Sequence, residues 1–235
     1  MITFDYWNTL FMDKNLADLR IRYLDALLNI QNTSRSYEEI RKAYLTTQDY
    51  VRQVWENESY RYVSVEKRLN YMLKILNIEL PRAIRQNTID KFKESIFDDP
   101  PSLTEGVYEV LETLNGNFRL GIISDAGITP GQFLRKMLKR NHILHFFKST
   151  IFSDETGFNK PHEIMFKTAL RELNVVPPEA IHIGDLLQTD VAGAKSAGMK
   201  AIWLNWKGTK KQKGYLPDFE INALSKLVNI IESIS

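Results

Sequence analysis

Four polar residues stand at or just beyond apolar runs, and their types suit the handling of a phosphoryl group. Ile2–Phe4 runs into Asp5, Leu120–Ile123 into Ser124, and Ile181–Gly184 into Asp185, while Lys160 stands in the loop Phe158-Asn159-Lys160-Pro161. Two carboxylates, Asp5 and Asp185, with a backbone carbonyl and waters make an oxygen-only site, which suits Mg2+. Lys160 and such a cation would neutralise a phosphoryl group and Ser124 would donate a hydrogen bond to it. Asp5 could then attack phosphorus in line to give an aspartyl-phosphate. Each residue alone is weak evidence, since a strand-end Asp is more often a turn or cap and Lys-Pro is usually only a loop. The weight lies in the set.

Convergence of the set requires a parallel sheet, whose ligands bind in the crevice beyond the carboxyl ends of the strands. Ile2–Phe4 reads as the first buried strand. From Leu16 to Phe97 the spacing turns helical, through Leu19, Tyr23, Leu27 and Ile30, then Ile40, Tyr44 and Val51, then Val65, Leu69, Met72, Leu73 and Leu76. Polar breaks at Asn32–Ser36, Glu56–Tyr60 and Asn77–Pro81 divide this insertion into about four helices, closed by Asp98-Asp99-Pro100-Pro101.

Beyond the double proline, helices and strands alternate. Glu105–Leu114, Gly131–Arg140, Glu163–Leu173 and Ala192–Ala197 are expected as helices. Leu120–Ser124, Thr150–Ser153, Ile181–Gly184, Lys200–Leu204 and an edge strand Phe219–Ile221 are expected as strands. Asn222 is expected to cap a last amphipathic helix. The fold class is α/β, a doubly wound Rossmann-like parallel sheet with an inserted α-helical domain.

The 235 residues suit one large domain or one plus an insertion. The absence of cysteine excludes thiolate catalysis, Cys-ligated zinc and a disulfide framework. Lys+Arg 31 against Asp+Glu 29 gives a net charge of +2, far from the basic excess of a nucleic-acid binder. Lys207, Lys210, Lys211 and Lys213 form a basic loop, read as a solvated turn. No apolar run reaches membrane-span length, and Ile2-Thr3-Phe4 enters Asp5 with no leader ahead of it, so a cytoplasmic location is expected, with no nucleic-acid or membrane partner.

Phe4-Asp5-Tyr6-Trp7-Asn8-Thr9-Leu10, Leu120–Ser124, Phe158–Pro161 and Ile183–Met199 together resemble, in order and spacing, the four motifs of the haloacid dehalogenase-like superfamily. The last stretch, Gly-Asp-x4-Asp-x2-Gly-Ala-x3-Gly, is specific on its own. The resemblance implies a core of residues 1–13 plus 98–235 and a helical cap over 14–97. It implies Mg2+ held by Asp5, Asp185 and the main-chain carbonyl of Trp7, catalysis by Asp5 and Lys160, and substrate contacts from Ser124, Trp7 and Thr9. Asp190 would orient Lys160 or a metal-bound water, and the substrate would be a small phosphorylated compound.

One position departs from the pattern. The family's phosphatases carry a second Asp two residues after the nucleophile, as leaving-group acid and then as base toward water, and here it is Trp7. An indole N–H is a donor only and cannot do either job. Positioned acid–base catalysis is worth roughly 10²–10⁴-fold, so unactivated esters should react slowly unless another group substitutes. Trp7 reads equally as a core aromatic at the base of a cleft and as a specificity residue. Asn8, where Gly is common, tolerates the same turn.

The family's true dehalogenases carry Ser at the position of Asp185, Asn at Leu187 and Tyr at Phe166, three mismatches against that activity. His142 and His145 read as packing residues, His162 follows Lys160-Pro161, and His182 sits in a buried strand. The expectation is a Mg2+-dependent phosphohydrolase with weak activity or activity selective for good leaving groups. The rival is a non-catalytic phospho-ligand or protein-binding module on the same fold.

Overall fold

Adjacent residues of a strand face opposite sides of a sheet, and in this chain both sides are apolar. In the computed structural model, which describes residues 1–210 and 213–234, Leu120 and Ile122 join one buried cluster and Ile123 another. Ile202 and Leu204 likewise face away from Ala201 and Trp203. A strand buried on both faces belongs to a parallel sheet covered by helices.

The chain order is β1 (Ile2–Phe4), α1 (Ala17–Ile30), α2 (Tyr37–Asn57), α3 (Val65–Leu76), α4 (Arg82–Asp98), α5 (Val107–Asn115), β2 (Leu120–Ser124), α6 (Gly131–Arg140) and β3 (Phe147–Phe152). It continues through α7 (Ser153–Thr156), α8 (Glu163–Leu173), β4 (Ile181–Gly184), α9 (Ala192–Ser196), β5 (Lys200–Leu204), β6 (Phe219–Ile221) and α10 (Leu227–Ile234). All strands are parallel, in the order β3-β2-β1-β4-β5-β6. Strand order reverses at β1, with β2 on one side and β4 on the other, so the crevice used by such sheets opens where Asp5 and Asp185 leave their strands.

Three local differences from the sequence reading have physical causes. β3 starts at Phe147 rather than Thr150 and ends at Phe152, because it is an edge strand with exposed Lys148 and a register shift against β2, and Ser153 already begins α7. A π-type turn, Leu187–Val191, precedes α9. Asn222 does not cap the last helix: a 3-10 turn over Leu224–Lys226 intervenes, with Ala223 before it and no side-chain cap. In the basic loop Lys207 lies over the Trp206 ring at 4.7 Å, and Lys211 is outside the described residues.

The segment expected as a cap holds α1–α4. Ser36 and Glu39 form a reciprocal capping box at α2, Ser64 caps α3 by accepting from Lys67 N, and Asn77 ends α3 in the left-handed conformation. Leu24, Leu28, Ile40, Leu69, Met72 and Phe92 form a separate apolar cluster, joined from the loop after β2 by Ile128. A short strip between α2 and α3 ties these helices to the Lys160 loop. Asn159 N donates to Tyr60 O (2.7 Å), Tyr62 N to Gly157 O (2.9 Å), and the Tyr62 hydroxyl to Gly127 O (3.1 Å). No described helix is long and apolar enough to cross a membrane.

Leu24 is fully buried in the helical cluster, and Leu24→Ala is expected to cost about 2–5 kcal/mol. Urea unfolding followed by circular dichroism checks this, and a loss under ~1 kcal/mol would mean that the cluster is not packed as described.

Candidate active site

Lys160 is the centre of the site. Its ammonium, 2% exposed, lies 2.6 Å from Asp5 Oδ1 and 2.5 Å from Asp190 Oδ1. Its backbone N donates to Asp125 Oδ1 at 2.8 Å. Burial opposes the Lys160 charge, but Asp190, Asp5 and Asp125 outweigh it and hold the ammonium above its ordinary pKa. Asp190 is likewise opposed by burial, and Lys160 with His182 holds its carboxyl well below the usual range.

Asp190 is placed by its neighbours. Its Oδ2 accepts from Leu186 N at 2.9 Å, and His182 Nε2 lies 3.2 Å from Oδ1. His182 Nδ1 lies 3.0 Å from the Thr3 hydroxyl, its register partner on β1. An ionised Asp190 can only accept, so the His182 Nε2 facing it is the donor. A Cβ on Gly184 would overlap the Asp190 carboxylate, so only glycine lets that side chain pack beneath the end of β4.

The structure brings Asp5, Lys160, Asp185 and Asp190 together, and one carboxylate oxygen from each of the three acids lies within 4.8 Å of the others. Ser124 is adjacent, its Oγ accepting from Tyr6 N at 3.4 Å and bonding Asp5. Asn8 adopts φ 53°, and the Asn8 side chain accepts from Asp13 N at 3.1 Å. The Trp7 indole N–H donates to Asp125 O at 3.2 Å, and its ring packs edge-on against Tyr6. Thr9 is fully buried, and its hydroxyl has no hydrogen-bond partner among the described residues. His162 caps α8 by accepting from Ile164 N, and His145 packs on Phe146.

Sequence reasoning missed Asp125 and the role of His182. Asp125 directly follows Ser124 at a strand end, a signal as good as that for Asp5. His182 is a polar residue in an otherwise apolar strand, and only the register with Thr3 reveals its use.

Asp5, Asp125, Asp185 and Asp190 face one ammonium, an excess of negative charge that a divalent cation would balance. The donors are all oxygens, which fits Mg2+. Both oxygens of Asp190 are engaged, whereas Asp185 pairs with no cation among the described residues. Burial, then repulsion from Asp5 and Asp190, raises Asp185 to about 7. Burial raises Asp125 to about 7 and also lifts Asp5.

The family model for haloacid dehalogenase-like hydrolases matches residues 24–204, more than half of the chain, and the chain belongs to that family. The match begins beyond Asp5 and Trp7. A segment of 119 residues is 38% identical to the glyceraldehyde 3-phosphate phosphatase of Pyrococcus abyssi, covering 49% of each chain, so the chain spans about half the length of that relative. The HAD-hydrolase YfnB of Bacillus subtilis is 26% identical over 232 residues, 98% of this chain and 94% of its own. Its magnesium-bound crystal structure shares the fold at a TM-score of 0.67 and 22% identity, covering 98% and 97% of the two chains. A 2-haloacid dehalogenase from Pseudomonas syringae superposes at a TM-score of 0.75, with 25% identity over 100% of this chain and 98% of that one.

Raised carboxylates make the metal-free fold sensitive to pH. Unfolded carboxylates titrate near pH 4, so between about 4 and 7 the folded chain binds more protons than the unfolded one, and stability falls as pH rises. Asp190 contributes with the opposite sign, and its share is lost only as pH drops well below 4. In chelator the protein is therefore expected to melt higher at pH 5 than at pH 8. A melting temperature that climbs over that interval would contradict the charge excess.

Proposed function

We propose that the protein is a Mg2+-dependent phosphohydrolase that works through an aspartyl-phosphate on Asp5 and acts on a small phosphorylated compound. The observation that carries this reading is the placement of Lys160 between Asp5 and Asp190, with Asp185 in the same oxygen cluster, where β1 and β4 diverge. The phosphatase names among the relatives and the magnesium in YfnB support it.

Asp5, Asp185 and the Trp7 carbonyl would hold the cation, which supplies charge neutralisation for the phosphoryl oxygens. Lys160 opposes the burial that raises the Asp5 pKa and adds a second positive charge, while Ser124 donates a hydrogen bond. An Asp5 oxygen bonds to phosphorus as the ester P–O bond breaks, and the ester oxygen departs with the electron pair. Water then bonds to phosphorus and passes its proton to a phosphoryl oxygen or to solvent, since Trp7 cannot take it, the P–O bond to Asp5 breaks, and the carboxylate returns with release of hydrogen phosphate. Trp7 can give no proton to the departing oxygen, so aryl and acyl phosphates are favoured over alkyl ones. The α1–α4 segment serves as the cap over this site.

Dehalogenation is disfavoured by the residues at the compared positions. Leu187 and Phe166 are buried apolar side chains, the latter edge-on to His182, and Asp185 brings a carboxylate. A binding module that has lost turnover is favoured by one observation alone, the commitment of the Trp7 N–H to Asp125 O.

Turnover of p-nitrophenyl phosphate with Mg2+, abolished in Asp5→Asn, is expected, with a sugar phosphate slower by about 10²–10⁴-fold. Absence of any turnover would leave the binding module. Trp7→Asp restores a carboxyl and is expected to raise turnover of the sugar phosphate per folded molecule, although loss of the partly buried ring costs up to roughly 3–5 kcal/mol of stability. Unchanged turnover in that folded variant would show that the acid is supplied elsewhere or not at all. Mg2+ is expected to raise the melting temperature of the parent and not of Asp185→Ala; an equal rise in both would remove Asp185 from the metal site.

A further inference from the structure

Two arginines of the helical segment are buried without a counter-charge. Arg20 on α1 is 8% exposed and Arg68 on α3 is 6% exposed. Arg20 Nε donates to Ser95 Oγ at 3.0 Å and to Phe92 O at 3.4 Å, and Nη2 donates to Thr129 Oγ1 at 3.1 Å. Arg68 Nε donates to Val63 O at 2.8 Å. Every one of these acceptors is neutral, and neither guanidinium forms an ion pair among the described residues.

Asp13 acts on Arg20 only through space and is exposed, and the neighbouring Lys14 is paired with Asp99. Arg20 also bears on Arg68 as a like charge. A lysine could shed its proton in such surroundings, but a guanidinium does not. Two cations withdrawn from water without a counter-charge are costly, and a buried charge is ordinarily paired.

Both arginines line one cavity of about 450 Å3, together with Trp7, Tyr44, Gly127 and Thr129. Trp7 lies two residues beyond Asp5, and Gly127 three beyond Ser124, so two parts of the cavity wall continue directly from the strand ends that carry Asp5 and Ser124. We propose that Arg20 and Arg68 form an anion subsite, and that the substrate is a phosphomonoester carrying a second anionic group, a carboxylate or a further phosphate. The forked guanidinium matches the paired oxygens of either group. The substrate assignment rests on the phosphohydrolase reading above, whereas the anion subsite stands apart from it.

The test has two arms. In the first, malonate is titrated against the parent, Asp5→Asn and Arg68→Gln in chelator, by melting temperature at ionic strength matched with chloride. A saturable rise is expected in the parent and in Asp5→Asn, with apparent Kd about 10- to 100-fold weaker in folded Arg68→Gln. Tighter binding in Asp5→Asn with no loss in Arg68→Gln would instead put the anion at Lys160, freed of a carboxylate, and overturn the subsite, as would no saturable rise in the parent. If Arg68→Gln does not fold, Arg68→Lys replaces it, with binding at least about 5-fold weaker expected from loss of the fork and unchanged binding overturning the subsite.

In the second arm, phenyl phosphate, 3-carboxyphenyl phosphate and 1,3-phenylene bisphosphate are compared with Mg2+ present. Preference for the carboxylate or for the bisphosphate identifies the second group, read as a KM lower by about 10-fold or more that Arg68→Gln erases. Equal KM for all three overturns the substrate class and leaves the hydrolase standing. Malonate binding without turnover of any of the three supports the anion subsite and sinks the hydrolase.

Discussion

The site depends on one buried ammonium shared among carboxylates. Lys160 reaches Asp5 from β1 and Asp190 from the turn after β4, and its own backbone is held by Asp125 from the end of β2. Three strand ends are thereby fixed against one loop. Desolvation consumes much of the Coulomb gain of such a cluster, so its net stability is small, but removing one member leaves uncompensated charge and costs about 3–5 kcal/mol. The cluster therefore specifies geometry more than it stabilises the fold. Gly184 is a condition of it, because any side chain there would expel Asp190.

The parts of the site legible in the sequence were those that follow buried strands. Asp5, Ser124 and Asp185 end apolar runs, and the spacing of Asp190 from Asp185 places both on one turn. β3 was misjudged because an edge strand alternates between exposed and buried residues and its Phe147 end reads as part of the preceding aromatic turn. Arg20 and Arg68 were invisible for a different reason. Helical periodicity assigns charged residues to the solvent, and nothing in the one-dimensional pattern marks a guanidinium drawn inside between two helices.

The helical segment and the Lys160 loop are mechanically joined. The Tyr60–Tyr62 strip bonds Gly157, Asn159 and Gly127, and Arg61 lies over the Phe158 ring at 5.6 Å. Any displacement of α1–α4 from the sheet must break these bonds or drag the loop that carries Lys160. The position of the helices and the position of the ammonium are thus coupled through neighbouring backbone, over a distance of one or two residues.

Trp7 stands where these constraints meet. An aspartate at that position would add a further carboxylate to a cluster that already holds four against one ammonium. The indole adds no charge, gives its N–H to the Asp125 carbonyl, and forms part of the wall of the cavity that holds Arg20 and Arg68. On the proposed reading, the missing acid–base group and two cations without a carboxylate partner bear on the same molecule from two ends. The proposed anion subsite beside Trp7, with a phosphoryl group at Asp5 two residues away, favours a ligand charged at both ends. Binding energy from the remote anion can then be used to orient the phosphoryl group at Asp5. In the proposed hydrolase, that orientation would offset part of the proton transfer that Trp7 cannot supply.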